Sequence, residues 1–545
     1  MTVAFNDIFY LRPRVITVQD GTTGAPVDPY LLSNYALTGA TSQRDFTHDL
    51  QRTAYGNLKR DFHTRVPFTL RTGFYLRQAQ RDIRGGVLTY NYVGPDGRAS
   101  TTPVGGDDNA APFLDASYSQ RMSPYGFPQS EVPSTRKVWE WYVAHPNYFT
   151  NNANTDYRGL VTNSKFAEEI VSALYLRGDV SSPDRRLKLV GGVRAEQTNV
   201  DARGFLTDLS RNVQRNAQGQ PILGSNGRPL AITSDPLEIS KLTYLDRGAR
   251  AQKEYLRFFP SLNATYNVRE NLIARAAFYE SVGRPNFNQY AGGVTLPDPE
   301  SPPSNANRIV VNNAAIKAWS ARTVSVRLEH YFEGVGQFSV GAFRRQFENF
   351  FGATTFNATP EFLALYSIDP ATYDAYDVAT QHNITSTVRM DGFDFNYKQT
   401  LTFLPHWARG VQVFANGSSQ RAIGDASSNF AGFIPLAGSW GISLTREKFN
   451  TRVNWNYRGR QRQAAVAAGS SIEPGTFTWG SKRLYVDVLG EYEFKKRVAL
   501  FFNLRNVGDA TEDTEVSGPS TPAHAQFRTR LDYASLWTFG IQGTF

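Results

Sequence analysis

Apolar and polar residues alternate with a period of two through most of this chain. In RLYVDVLGEYEF the even positions Leu484, Val486, Val488, Tyr492 and Phe494 are apolar, while Asp487, Glu491 and Glu493 fall on odd numbers. A helix would put Leu484, Asp487, Val488 and Glu491 on one stripe, so the pattern predicts a strand with one apolar and one polar face. After Lys495-Lys496-Arg497 the alternation resumes through Val498, Leu500, Phe502 and Leu504, which predicts a hairpin. Leu256, Phe258, Leu262, Ala264 and Tyr266 likewise oppose Arg257, Ser261, Asn263 and Thr265, and Val324, Val326 and Leu328 oppose Arg327 and Glu329. The chain ends the same way. In SLWTFGIQGTF, Trp537, Phe539, Ile541 and Phe545 alternate with Thr538, Gly540, Gln542 and Thr544.

About sixteen such segments occur, most of roughly 9–14 residues, where a bilayer-crossing strand needs about 9–11. Connections alternate in length. Short ones fall near Phe62–Val66, Ser181–Arg185, Val268–Asn271, Glu333–Gly336, Leu404–Gly410, Glu447–Asn450 and Lys495–Arg497. Long ones span about 82–164, 202–253, 284–318, 349–387, 462–481 and 509–529. Short turns at one rim and long loops at the other predict an all-β fold, an antiparallel transmembrane β-barrel. The polar faces carry single Arg, Lys, Asp and Glu residues, which a dry core would not tolerate unpaired but a watery or plugged lumen would. The apolar faces are almost free of charge. Trp407, Trp455, Tyr457 and Trp537 near strand ends fit interfacial girdles. On this reading the last strand closes the sheet against the first, with Trp537, Phe539, Ile541 and Phe545 toward lipid as a barrel-assembly signal.

Composition narrows the classes. The chain has 545 residues, 13% of them aromatic, 44 glycines and no cysteine. No stretch approaches the roughly 18 consecutive apolar residues of a membrane helix, which excludes helical membrane proteins. The absence of cysteine removes disulfide frameworks and thiolate metal sites and suits an oxidising envelope compartment. A formal charge of +9 raises nucleic acid as a partner, but the basic residues are scattered singly, as on a solvated surface. The amino terminus, MTVAFNDIFYLRPRVITV, shows no basic segment followed by an apolar core, hence no export signal as written.

Three stretches resemble one family. LRFFPSLNATYNVRENLIARAAFYESVGRPNF (Leu256–Phe287) resembles the paired mid-barrel strands of TonB-dependent outer-membrane receptors, with a Pro-Ser-Leu-Asn opening and an Arg-Pro exit. The stretch Ala315–Phe351 resembles the family's next hairpin, with Ala318 where a proline is usual. LFFNLRNVGDATED (Leu500–Asp513), followed by the terminal aromatic strand, resembles the last two strands. The resemblance implies import of a scarce nutrient such as a ferric siderophore or glycan across the outer membrane of a Gram-negative-type bacterium. It also implies energy coupling through TonB-ExbB-ExbD, contact with outer-membrane lipid and the barrel-assembly machinery, and no cofactor or enzymatic activity. Family barrels have twenty-two strands, so residues 1–545 read as a receptor barrel domain lacking its amino-terminal strands, plug and signal peptide. Such a barrel need not close by itself and is not, alone, a competent transporter.

Catalytic signals are sparse. Ser134-x-x-Lys137 matches a penicillin-binding signature without its companions, Asp107-Asp108 lacks an ordered calcium spacing, and the histidines, His145 and His524 among them, show no metal spacing. Candidate ligand-binding residues are the loop aromatics Trp139, Trp141, Tyr142, Tyr148 and Phe149 with Arg136 and Lys137, suited to stacking on a sugar ring or catecholate or else packing the loop. The lumen-facing Arg257, Arg275, Arg327 and Arg505 favour an anionic solute. Two rival readings are a passive sixteen-strand porin, requiring a closed ring and a constriction loop folded into the lumen, and a secreted or surface glycan-binding β-protein. A third, an outer-membrane hydrolase, needs Ser, His and acid groups converging at one rim, and none do.

Overall fold

The computed structural model describes all residues except 1, 10–11, 100–105, 122–127, 305, 312–317, 333–335, 350, 384–386, 425–431, 467–471 and 544–545. Among the described residues fifteen strands pair in one antiparallel ladder. In chain order they are β1 (Gly39–Phe62), β2 (Phe68–Tyr92), β3 (Lys165–Ser181), β4 (Leu187–Thr207), β5 (Tyr244–Arg269), β6 (Leu272–Gly283), β7 (Trp319–Phe332) and β8 (Gly336–Glu348). The ladder continues through β9 (Val388–Thr400), β10 (Val411–Ile423), β11 (Leu436–Thr445), β12 (Phe449–Arg458), β13 (Arg483–Lys495), β14 (Val498–Arg505) and β15 (Leu536–Gly543). Each strand pairs with its neighbours in this order. Short turns and long loops alternate along it as the sequence predicts. The turn after β3 is typical: Arg185 adopts a left-handed φ of 56° and Asp184 accepts the Arg186 amide at 3.1 Å.

The pairings agree with the incomplete closure that the strand count suggests. Among the described residues β1 pairs only with β2 and β15 only with β14, and no described pairing joins the last strand to the first. Among the described residues both edges lack a partner strand, a configuration that hydrocarbon penalises by several kcal/mol per exposed backbone group. Phe545 and the side chain of Trp407 lie outside the described residues, as does the turn at 333–335.

Registers fix two faces. Phe74, Leu174, Ala195 and Phe258 form one cross-strand row, and on the same face Phe258 is 58% and Leu262 52% exposed. Phe393, Trp537, Phe539 and Ile541 are exposed to a similar degree or more. The apolar side chains therefore point out of the sheet instead of meeting in a sealed interior. Leu256 to Tyr266 on β5 is ten residue steps. At about 3.3 Å per residue and a tilt near 40° this belt is about 25 Å tall, the height of an outer-membrane hydrocarbon band. The outward face does carry charge beyond the belt: Arg322 pairs with Glu280 at 2.8 Å and Arg344 with Asp391 at 2.9 Å, both on the side of the long loops.

Beyond the ladder, Thr2–Phe9, Arg12–Gln19 and Pro26–Val27 form a separate three-stranded sheet. Gln461–Ala465, Phe477–Gly480, Glu512–Ser517 and Phe527–Leu531 form a four-stranded sheet from two long loops. The loops after β6 and β8 fold inward. Ile309, Val311, Leu363, Tyr376 and Val378 pack there on Ala249 and Ala251, residues of β5 that share the face opposite the belt. The mouth thus contains a second apolar core built by loops.

Candidate functional site

The inner wall is ionised and internally paired. On β2–β5, Tyr75, Ala173, Glu196 and Arg257 stand in one cross-strand row, and Arg77, Val171, Thr198 and Tyr255 in the next. Alternation places all of them opposite the lipid belt. Glu169 and Glu196 are 4% and 7% exposed. Arg77 forms an ion pair with Glu169, and Arg194 reaches Glu196 at 2.9 Å. Buried carboxylates persist only when paired in this way.

A third arginine comes from outside the wall. Arg284, one residue past β6, forms an ion pair with Glu196 and lies 3.7 Å from Glu169. The residues after it run down the inner face: Tyr290 and Ala291 pack on Ala167, Val200 and Ala202, with Phe287 alongside. The Tyr290 hydroxyl donates to Glu169 at 3.4 Å, and its burial pushes its pKa well above the usual phenol range. Arg81 lies over the Phe287 ring at 5.6 Å. Sequence reasoning singled out none of Arg284, Glu169, Glu196 and Tyr290 as site residues. The Arg-Pro exit and two carboxylates on the inner face of adjacent strands were the available signals.

Of the arginines that the sequence did select, Arg257 stands beside Glu196 in the same row, and Arg275, Arg327 and Arg505 sit further round the wall. Arg257 donates to the Ala318 carbonyl at 2.9 Å, so the buried alanine in the usual proline position accepts a lumen arginine. Arg275 pairs with Glu329 at 3.0 Å and Arg327 with Asp394 at 2.6 Å. Those carboxylates weaken the preference for an anion that the bare arginines suggested. Arg505 is exposed at the end of β14.

The loop aromatics divide. Trp141, Tyr142 and Tyr148 pack around Tyr92, Phe113 and Phe149, with the Trp141 indole N–H donating to the Tyr92 hydroxyl at 3.2 Å. His145 stacks on Tyr148 at 4.7 Å. Trp139 is 57% exposed, tilted over Tyr142 at 5.5 Å, and Arg136 beside it pairs with Glu140 at 2.8 Å on the surface. Trp139, Tyr142, Tyr90, Val138 and Leu37 wall a cleft of about 310 Å³. Tyr90 and Tyr92 share the face of β2 that carries Phe74 and Leu76. The cleft therefore lies on the outward face of the ladder, above the belt, and is not brought together with Arg257, Arg275 and Arg327.

The remaining motifs have structural roles. Ser134 caps the helix Thr135–Ala144 by accepting the Lys137 amide at 3.4 Å, and Lys137 donates to the Leu114 carbonyl at 2.8 Å. Ser-x-x-Lys is here a helix start. Asp107 accepts the Asp96 amide at 3.0 Å and Asp108 is fully buried, both against the turn at Gly94–Gly97. His524 is exposed in a short turn.

Residues 6–507 match the model of the TonB dependent receptor-like β-barrel family. The chain belongs to this family. Members are Gram-negative outer-membrane β-barrels, the setting that the apolar belt of this receptor barrel requires. Among solved structures it is similar to the ferric-catecholate import receptor Fiu of E. coli K12 in its closed form, at 13% identity over 92% of this chain and 55% of that one, TM-score 0.50. It is also similar to the siderophore receptor PiuA from Acinetobacter baumannii, at 14% identity over 91% of this chain and 56% of that one, TM-score 0.50. At such identities the likeness concerns fold alone. The receptor barrel spans little more than half the length of these two proteins. No curated protein matches it.

Proposed function

We propose that this chain is the barrel portion of an outer-membrane receptor that imports a scarce nutrient, a ferric siderophore or a glycan, with energy delivered by TonB-ExbB-ExbD. The observation that carries the reading is the family match over residues 6–507. The outward belt and the ionised inner wall support it, since a receptor barrel needs lipid on one face and water or a stopper on the other. The similarity to the ferric-catecholate import receptor of E. coli and the siderophore receptor of A. baumannii favours a siderophore. Recognition on this reading uses Trp139 and Arg136 at the loop surface and the wall arginines Arg257, Arg275 and Arg327 along the path. Trp141, Tyr142 and Tyr148 hold the loop that carries Trp139. Trp537, Phe539, Ile541 and Phe545 present the terminal strand to the assembly machinery. The process is capture and passage, with no covalent step.

The inward-folded segment after Arg284 is the one feature that favours a passive pore, where it would act as the constriction. Uptake separates the two readings. Iron-starved cells carrying the full protein accumulate radiolabelled ferric siderophore, and a protonophore abolishes that accumulation. Uptake that persists after the protonophore, or in cells lacking ExbB, contradicts the receptor reading.

A further inference from the structure

The segment 284–291 is held at two ends by different means. At one end is the Arg284 ion cluster. At the other, Val294–Thr295 pair in parallel with Leu206–Thr207 of β4, just past Gly293, whose φ of +79° suits glycine. Gly293 also packs so closely on Gly204 that a Cβ there would meet the Gly293 nitrogen at 2.5 Å. The segment is thus a strap tied to the ladder at both ends, through Gly283 of β6 and through the glycine turn beside β4, and pinned to the wall between them by the Arg284 ion pairs, the Tyr290 hydroxyl on Glu169 and the packing of Tyr290 and Ala291.

We propose that Arg284 is a releasable latch: its contact with Glu169 and Glu196 decides whether the strap lies on the inner wall or lifts into the lumen. Three guanidinium groups share two carboxylates in the cluster. When Arg284 leaves, Glu169 keeps Arg77 and Glu196 keeps Arg194, so no buried carboxylate is left without a cation. Breaking a buried pair is expensive because it strands a charge, and this wall avoids that outcome. The docked arginine is itself under-compensated. Burial disfavours its charged form, Glu169 opposes that effect, and Arg77 adds repulsion. Its Nε is buried without a hydrogen-bond partner. What the strap covers is mostly small: Ala167, Val200 and Ala202. The inference concerns the strap's position and holds whether or not passage is energised.

The chain contains no cysteine, so one introduced thiol reports alone. In outer membranes carrying the full chain, Ala291→Cys, at a position 1% exposed, is labelled by a membrane-impermeant maleimide. Leu223→Cys, at a loop position 57% exposed, serves as reference. The latch predicts labelling of Ala291→Cys at least tenfold slower than the reference in the parent. Arg284→Ala raises that rate at least tenfold and leaves the reference unchanged, and Arg284→Lys restores part of the protection. Glu196→Gln, which weakens the latch from the wall, gives an intermediate rate. Protection unchanged in an assembled Arg284→Ala barrel overturns the latch, as does fast labelling in the parent. If Arg284→Ala and Glu196→Gln both fail to assemble, judged by heat-dependent gel mobility, the contact is a fixed structural element and the proposal also falls.

Discussion

Arg275 and Arg327 stand directly opposite each other on β6 and β7, yet each turns to a carboxylate: Glu329 at 3.0 Å and Asp394 at 2.6 Å respectively. Like charges in direct register are destabilising on a sheet. Here the alternation of basic and acidic partners across three strands offsets the repulsion. The side chains are partly exposed to the lumen, so each pair is worth about 0.5–1 kcal/mol after solvent screening. Asp394→Asn should therefore lower the heat-modification temperature of the barrel by only a few degrees, whereas Asp394→Lys, which puts a third cation in the row, should lower it further.

Face decides the effect of a charge. Leu262 lies near the middle of the outward belt and Asn263 on the inner wall. Leu262→Arg should destabilise the folded barrel by about 2–4 kcal/mol, the cost of an arginine at the bilayer midplane, while Asn263→Arg should stay within about 1 kcal/mol of the parent. Denaturant unfolding from bilayers measures both.

The aromatic loop separates packing from recognition. Truncating Trp141, which sits against Phe113 in an edge-on contact at 6.1 Å, should cost about 3–5 kcal/mol locally and open residues 113–149 to limited proteolysis. Trp139→Ala should leave the proteolysis pattern unchanged. If Trp139 contacts ligand, the same variant should weaken siderophore binding to whole cells, read as a raised Kd.

The four-stranded loop sheet should be pH-sensitive. Asp513 receives two bonds from Arg530 at 2.7 Å, and that guanidinium holds its carboxyl below the usual carboxylate range. A depressed folded-state pKa contributes stability that is present above the unfolded value and lost as pH falls through the folded one. The sheet should thus be protected from protease at neutral pH and loosen in acid below about pH 4, the ordinary range of aspartate. Asp513→Asn should be looser at pH 7 and show a smaller acid effect.

The ladder was legible because each strand writes its two solvents into its own residues: Phe258 and Arg257 differ in face by one position, and no tertiary information is needed to see it. Incomplete closure was legible only through the count, about sixteen strands where the resemblance implies twenty-two, since the pairing of the outermost strands depends on distant backbone and leaves no periodic trace. The inward loops were hidden for a related reason. Nothing in the sequence sets Glu169 and Glu196 apart from the other acidic residues, and only the fold places Arg284, nearly ninety residues beyond Glu196, over them. Trp141 and Trp139, two positions apart in one aromatic run, looked alike. A helix turns them to different sides, which only the fold could reveal.

The central claim is that hydrocarbon bathes one face of this ladder and water the other. Single cysteines at each position from Leu256 to Tyr266 in the cysteine-free chain test it, with a soluble maleimide on one arm and quenching of a thiol-attached fluorophore by brominated lipid on the other. The account predicts strict alternation: maleimide reaches Arg257, Ser261, Asn263 and Thr265, and lipid quenching reaches Leu256, Phe258, Leu262 and Tyr266. Labelling without a period of two, or quenching on the odd positions, would contradict it.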